Sequence, residues 1–208
     1  NINLSGALAF GRCVEENCPD VKGIYTRKRD VFIPLQRRAD IANSNHADLL
    51  ISIHTNSLPM GAVAYGSETY TLGMARASAN LEVAKRENSV ITLEDNNQQT
   101  YKGFNPNKAE SYEAMRRLVP FMQRQYRSVG RPDKGVHQAG FLVLRNTSMP
   151  SVLTELGFIS TPSAERYLNS AAGQQELSRS IYIGFLAYRR QHDRRKHFLP
   201  ADLPLKHR

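Results

Sequence analysis

The stretch ADLLISIHTN, residues 47–56, decides how the chain is read. Leu49, Leu50, Ile51 and Ile53 form a nearly continuous apolar run, the pattern of a strand covered on both faces in a parallel sheet. The run ends on His54, an ionisable ring at the mouth of a buried element. A second run, PSVLTELGF at 150–158, carries Glu155 in the same kind of setting. Ligands of open α/β sheets gather beyond the carboxyl ends of the strands, so these two residues are the first candidates for chemistry.

Working outward, Ile2, Leu4, Ala7, Leu8 and Val14 recur at helical spacing and predict an amphipathic helix over 2–16. VKGIYTR, 21–27, alternates like a short strand. Pro34 opens a helix through Leu35, Arg38, Ala39, Ile41 and Ala42, at a position where a missing N–H costs little. GSETYTLG, 66–73, predicts another strand, and the Ala-rich stretch 74–90 a helix with Glu82 set against Lys85 and Arg86. Residues 94–108 are polar and turn-rich. Residues 109–128 predict a basic helix that Pro120 kinks or splits. FLVLRN, 141–146, is expected to be a buried strand. Thr161 and Pro162 signal a helix start before AERYL. The last helix, 174–190, places Leu177, Ile181, Phe185 and Tyr188 on one stripe, and 191–208 form a basic, disordered tail. Strands alternating with helices imply a single α/β domain with a mostly parallel central sheet and helices on both faces.

The chain of 208 residues is long enough for one substantial core. No run is long and apolar enough to span a membrane. The net charge of +9 and pI near 9.8 favour acidic partners such as nucleic acid, anionic membrane or a carboxylate-rich cell wall, or serve solubility alone. Basic and aromatic residues are not interleaved as in a nucleic-acid module, so no nucleic-acid partner is expected. Cys13 and Cys18 read as two partly buried thiols, with a disulfide between them in an oxidising compartment as the alternative, and the chain has no CxxC pair for a zinc ribbon.

A His and a Glu converging at the top of a sheet suit a zinc hydrolase, since imidazole ligates zinc and a nearby carboxylate takes a proton from bound water. They equally suit a hydrogen-bonded pair at two strand ends. His46, in the turn ANSNHAD, is expected to be exposed. His137 is expected just before a strand. Ser52 and Ser148 lack a nucleophile-elbow setting.

Two longer stretches carry a resemblance. YTRKRDVFIPLQRRADIANSNHADLLISIHTN, 25–56, is similar to the central segment of zinc-dependent N-acetylmuramoyl-L-alanine amidases, with its TR, L-x-x-R and S-I-H-x-N features. KGVHQAGFLVLRNTSMPSVLTELGFIS, 134–160, resembles that family's closing block, V-L-x-E-x-G-F-x-S/N. The resemblance covers about residues 1–190. It implies hydrolysis of the amide between N-acetylmuramic acid and L-alanine in peptidoglycan, with Zn2+ as cofactor, in the bacterial cell envelope, periplasmic or secreted. It matches His54 to a zinc ligand, Glu155 to the catalytic glutamate and Asn56 to a polar, substrate-facing residue. Arg27 and Arg37 match motif arginines with structural ion pairs.

The family's other two zinc ligands, a His in a D-x-G-H-G-G loop and a Glu just before the first helix, have no match here. The chain is therefore expected to begin after them, or to be a non-catalytic peptidoglycan-binding relative with a degenerate metal site. His46 offers no motivated replacement. In cell-separation members an inserted helix covers the zinc until an activator moves it. Residues 74–128 occupy that place, with Glu82, Glu87, Glu94 and Asp95 as candidate autoinhibitory side chains.

Overall fold

The computed structural model describes residues 2–74, 78–90 and 118–198. Its elements in chain order are α1 (Ile2–Asn17), α2 (Leu35–Ser44), β1 (Leu50–Asn56), β2 (Ser67–Leu72), α3 (Ser78–Asn88), α4 (Val119–Ser128), β3 (Asp133–Ala139), α5 (Leu142–Arg145), β4 (Ser151–Phe158), α6 (Pro162–Asn169) and α7 (Ala171–Phe198). The four strands make one sheet in the order β1-β4-β2-β3. β1 runs parallel to β4 and β2 parallel to β3, while the central pair β2–β4 is antiparallel. The single, mostly parallel α/β domain expected from the sequence is the one observed.

The two-residue period of the strands sorts side chains into two cores. On one face Leu50, Tyr70, Leu72 and Leu153 pack with Leu35 and Ala42 of α2, Val83 and Ala84 of α3, and Val143 and Leu144 of α5. On the other, Val152 and Leu156, with Ile51 and Ile53, meet Ile2, Met122, Tyr126, Leu177 and Ile181 from α1, α4 and α7. α4 and α7 approach closely at Gly184, where a Cβ would stand 2.8 Å from Met122 Cγ and 3.0 Å from its Cα. β2 and β4 are buried throughout. β1 is an edge strand among the described residues and only half-buried along most of its length, so its apolar run marks one covered face and one partly covered face.

Several local expectations are corrected. Segment 21–27 has no ladder partner among the described residues and is not a strand; alternation alone cannot supply the neighbour that a strand needs. The tip of that segment is tied instead by the Tyr25 phenol donating to Glu15 Oε1 at 2.9 Å. FLVLRN is not a strand but the helical turn α5, with Phe141, Val143 and Leu144 buried; a short apolar run fits either element. The strand of that region is β3, whose pattern DKGVHQA is polar because it lies on a sheet edge.

Pro120 falls in the first turn of α4, where it breaks no internal hydrogen bond, and α7 continues to Phe198, past the boundary expected at 190. The expected loop 94–108, the start of the expected helix over 109–128 and residues 199–208 lie outside the described residues. Cys13 and Cys18 are unpaired thiols, Cys18 buried beside the Tyr182 hydroxyl. Among the described residues no helix is long and apolar enough to cross a membrane.

Candidate metal centre

His54 pairs with Glu155 across the parallel β1–β4 ladder, and Glu155 pairs with Glu68 across the antiparallel β4–β2 ladder. Directly registered residues point to the same face, so three chemistry-bearing side chains share one face of three adjacent strands. Asn56, two residues beyond His54 on β1, and Tyr70, two beyond Glu68 on β2, extend the same row.

Helix α3 closes over this row. Val83 and Ala84 sink into the apolar core beside it, and the next inward positions carry polar groups. Glu87 Oε2 lies 2.6 Å from His54 Nδ1. A carboxylate only accepts, so Nδ1 donates there, and Nε2 lies 3.0 Å from the Ser52 hydroxyl. Arg86 Nη1 donates to Asn56 Oδ1 at 2.6 Å. Asn88 donates to the Gly140 carbonyl at 2.8 Å and accepts from the Leu142 N–H at 2.9 Å. Three consecutive side chains thus fasten the end of α3 to β1 and to the β3–α5 turn.

His54, Glu87 and Glu155 each offer a ligand atom within 4.8 Å of the others. Glu155 is fully buried, and neither of its oxygens has a hydrogen-bond partner among the described residues. Burial holds its carboxyl well above the ordinary carboxylate range; the charges of Glu87 and Glu68 push the same way and Arg86 opposes them. A buried carboxylate without donors, facing a ring nitrogen and a second carboxylate, is a donor set that suits a divalent cation.

Of the residues singled out in the sequence, His54, Glu87, Glu155 and Asn56 are brought together. Glu82 is not: it is largely exposed and accepts from Lys85 at 2.8 Å. Glu94 and Asp95 lie outside the described residues. His46 is exposed, in a left-handed turn with φ of 50°, and takes no part in the cluster. His137 lies within β3 rather than before a strand, beside Tyr70 and bonded to the Lys134 carbonyl at 2.8 Å. Arg27 pairs with Asp30 at 3.5 Å and caps the Val31 carbonyl, the structural part expected of it.

Sequence reasoning missed Glu68 and Arg86. Glu68 Oε2 accepts from Asn56 Nδ2 at 3.1 Å and from the Tyr70 hydroxyl at 2.9 Å. The structure shows why it matters: Glu68 lies in a fully buried strand, where a carboxylate requires partners.

The chain's relatives agree with this architecture. The family model described as N-acetylmuramoyl-L-alanine amidase matches residues 1–187. The amidase AmiA of Escherichia coli K12 is 30% identical over 181 residues, which cover 82% of this chain and 62% of AmiA. The amidase AmiC of Escherichia coli O6:H1 is 30% identical over 187 residues, covering 85% of this chain and 44% of AmiC. The chain therefore spans less than two thirds of the length of either. The catalytic domain of CwlV, an amidase from Bacillus (Paenibacillus) polymyxa var. colistinus, superposes with a TM-score of 0.63 at 26% identity over 91% of this chain and 83% of its own. With a family match over nearly the whole chain, and a fold shared with solved amidases, the chain belongs to the N-acetylmuramoyl-L-alanine amidase family.

Proposed function

We propose that this chain is the catalytic part of a zinc-dependent amidase that hydrolyses the bond between N-acetylmuramic acid and L-alanine in peptidoglycan, in the cell envelope. The observation that carries this reading is the buried Glu155 carboxylate, without hydrogen-bond donors among the described residues, set in register with His54 within the paired strands β4 and β1. His54 would hold the metal. Bound zinc supplies a Lewis acid and an acidified water. Glu155 accepts a proton from the attacking water and returns it to the leaving alanine nitrogen.

In the same reading, residues 1–190 form the catalytic domain and 74–128 its covering insertion, with cell-wall remodelling or daughter-cell separation as the task. Glu87 occupies the position that substrate and metal require, so the docked α3 is an inhibitory plug that a partner protein displaces. Glu82, exposed and paired with Lys85, leaves that part to Glu87. One amidase of the same fold, CwlD of Clostridioides difficile, has been solved in complex with the GerS lipoprotein, so the fold accommodates a protein partner.

The test is release of stem peptides from purified sacculi by the full-length, zinc-loaded protein, read by mass spectrometry. Peptides with a free L-alanine amine are expected, and Glu155→Gln is expected to lower their release by at least about a hundredfold with zinc content unchanged. Sacculus binding without peptide release from the native protein would make it a non-catalytic wall-binding relative.

A further inference from the structure

Asn56 is 1% exposed beneath α3, and its amide has a single allowed orientation. Nδ2 donates to Glu68 Oε2, while Oδ1 accepts from the Ser57 N–H at 2.8 Å and from Arg86 at 2.6 Å. Glu68 in turn is held by the Tyr70 hydroxyl, whose pKa burial and then the Glu68 charge push upward, so that the phenol stays a donor. The chain of bonds Tyr70–Glu68–Asn56 therefore ends in a carbonyl oxygen directed at Arg86. Arg86 belongs to the helix that also sets Glu87 against His54.

We propose that Glu68 is a positioning residue that locks the Asn56 amide so that its oxygen receives an N–H of the substrate's peptide stem, and that Arg86 fills this acceptor as a substrate mimic while α3 is docked. The proposal rests on the amidase reading and adds to it the polarity of one subsite and the residue that sets it. Withdrawing Arg86 leaves Oδ1 with only the Ser57 N–H, a state that a peptide N–H relieves. The plug thus carries two surrogates on adjacent residues: Glu87 for a ligand of the metal, and Arg86 for a donor of the substrate.

The test uses the full-length, zinc-loaded protein carrying Glu155→Gln, so that the probe, N-acetylmuramoyl-L-alanyl-D-isoglutamine, is not consumed. Its dissociation constant and the Asn56 side-chain amide resonances are followed by NMR. Arg86→Ala is expected to tighten binding about tenfold and to let the probe shift the Asn56 resonances. Adding Glu68→Leu or Asn56→Ala is expected to cancel the gain, whereas Glu68→Gln, which still offers Asn56 an oxygen, keeps most of it.

Two variants reach Asn56 by different routes, so misfolding of one leaves the other as the test. A gain that survives Asn56→Ala, or no probe binding in any variant, overturns the proposal. Release of peptides from sacculi by the protein with native Glu155, read in parallel, reports separately whether the amidase reading stands.

Discussion

Glu155 lies wholly inside the protein, with both oxygens lacking donors among the described residues and two other carboxylates nearby, so ionising it costs stability. Its pKa in the folded state is raised. The stability it contributes is therefore present below the ordinary carboxylate range and is lost as pH rises toward the folded value. In chelated protein, Glu155→Gln removes that pH-dependent loss. The variant should gain on the parent in urea denaturation as pH is raised from acid toward neutral. A constant difference across that range would mean that the pKa of Glu155 is not raised in the folded state. The two central residues of the site were legible in the sequence because each breaks an apolar run where nothing but chemistry or a dedicated partner tolerates it. Glu68 was not, because it sits in SETYTL, a strand with polar residues at most of its positions, where one more carboxylate stands out less.

At the scale of elements, α3 illustrates what helical phase can and cannot say. Val83 and Ala84 are its buried positions, and Arg86, Glu87 and Asn88 follow them by three or four residues, on the same inward side. Glu82 faces out. Phase therefore separates Glu87 from Glu82 once the buried face is known, but the sequence of α3 does not reveal which face that is. If α3 is an inhibitory plug, Glu87→Gln should raise peptide release from sacculi severalfold in the absence of any partner protein, and leave the melting temperature within a few degrees. Unchanged release would make α3 a fixed part of the cleft wall.

The packing of α4 on α7 gives a second test of the same scale. Gly184 meets the Met122 backbone as well as its side chain, so the neighbour cannot simply swing away. Gly184→Val should cost about 1–3 kcal/mol of stability by overpacking, measured by urea denaturation. A neutral outcome would mean that the two helices separate without penalty.

For the molecule as a whole, the net charge of +9 has its consequence in how the chain meets a polyanionic wall. Exposed charges are screened within roughly 8 Å at physiological ionic strength. Raising salt should reduce co-sedimentation with sacculi while leaving hydrolysis of a small soluble muramoyl peptide unchanged. Salt-insensitive binding would assign wall recognition to the cleft rather than to the charged surface.

The sequence by itself determined the fold class, the positions of β2, β4 and most helices, and the family, and it singled out His54 and Glu155 as candidates. These rest on local periodicity and on motifs, each contained in a few consecutive residues. Tertiary structure alone decided that β2 and β4 run antiparallel, that FLVLRN turns into a helix while DKGVHQA becomes the strand, and that β1 is an edge strand among the described residues. It also decided that Arg86 and Glu87 are the side chains delivered to Asn56 and His54, about thirty residues earlier in the chain. The physical reason is the same in each case. Strand pairing, edge status and the inward face of a helix depend on contacts between segments distant in sequence, and no local pattern states which partner the rest of the chain will supply.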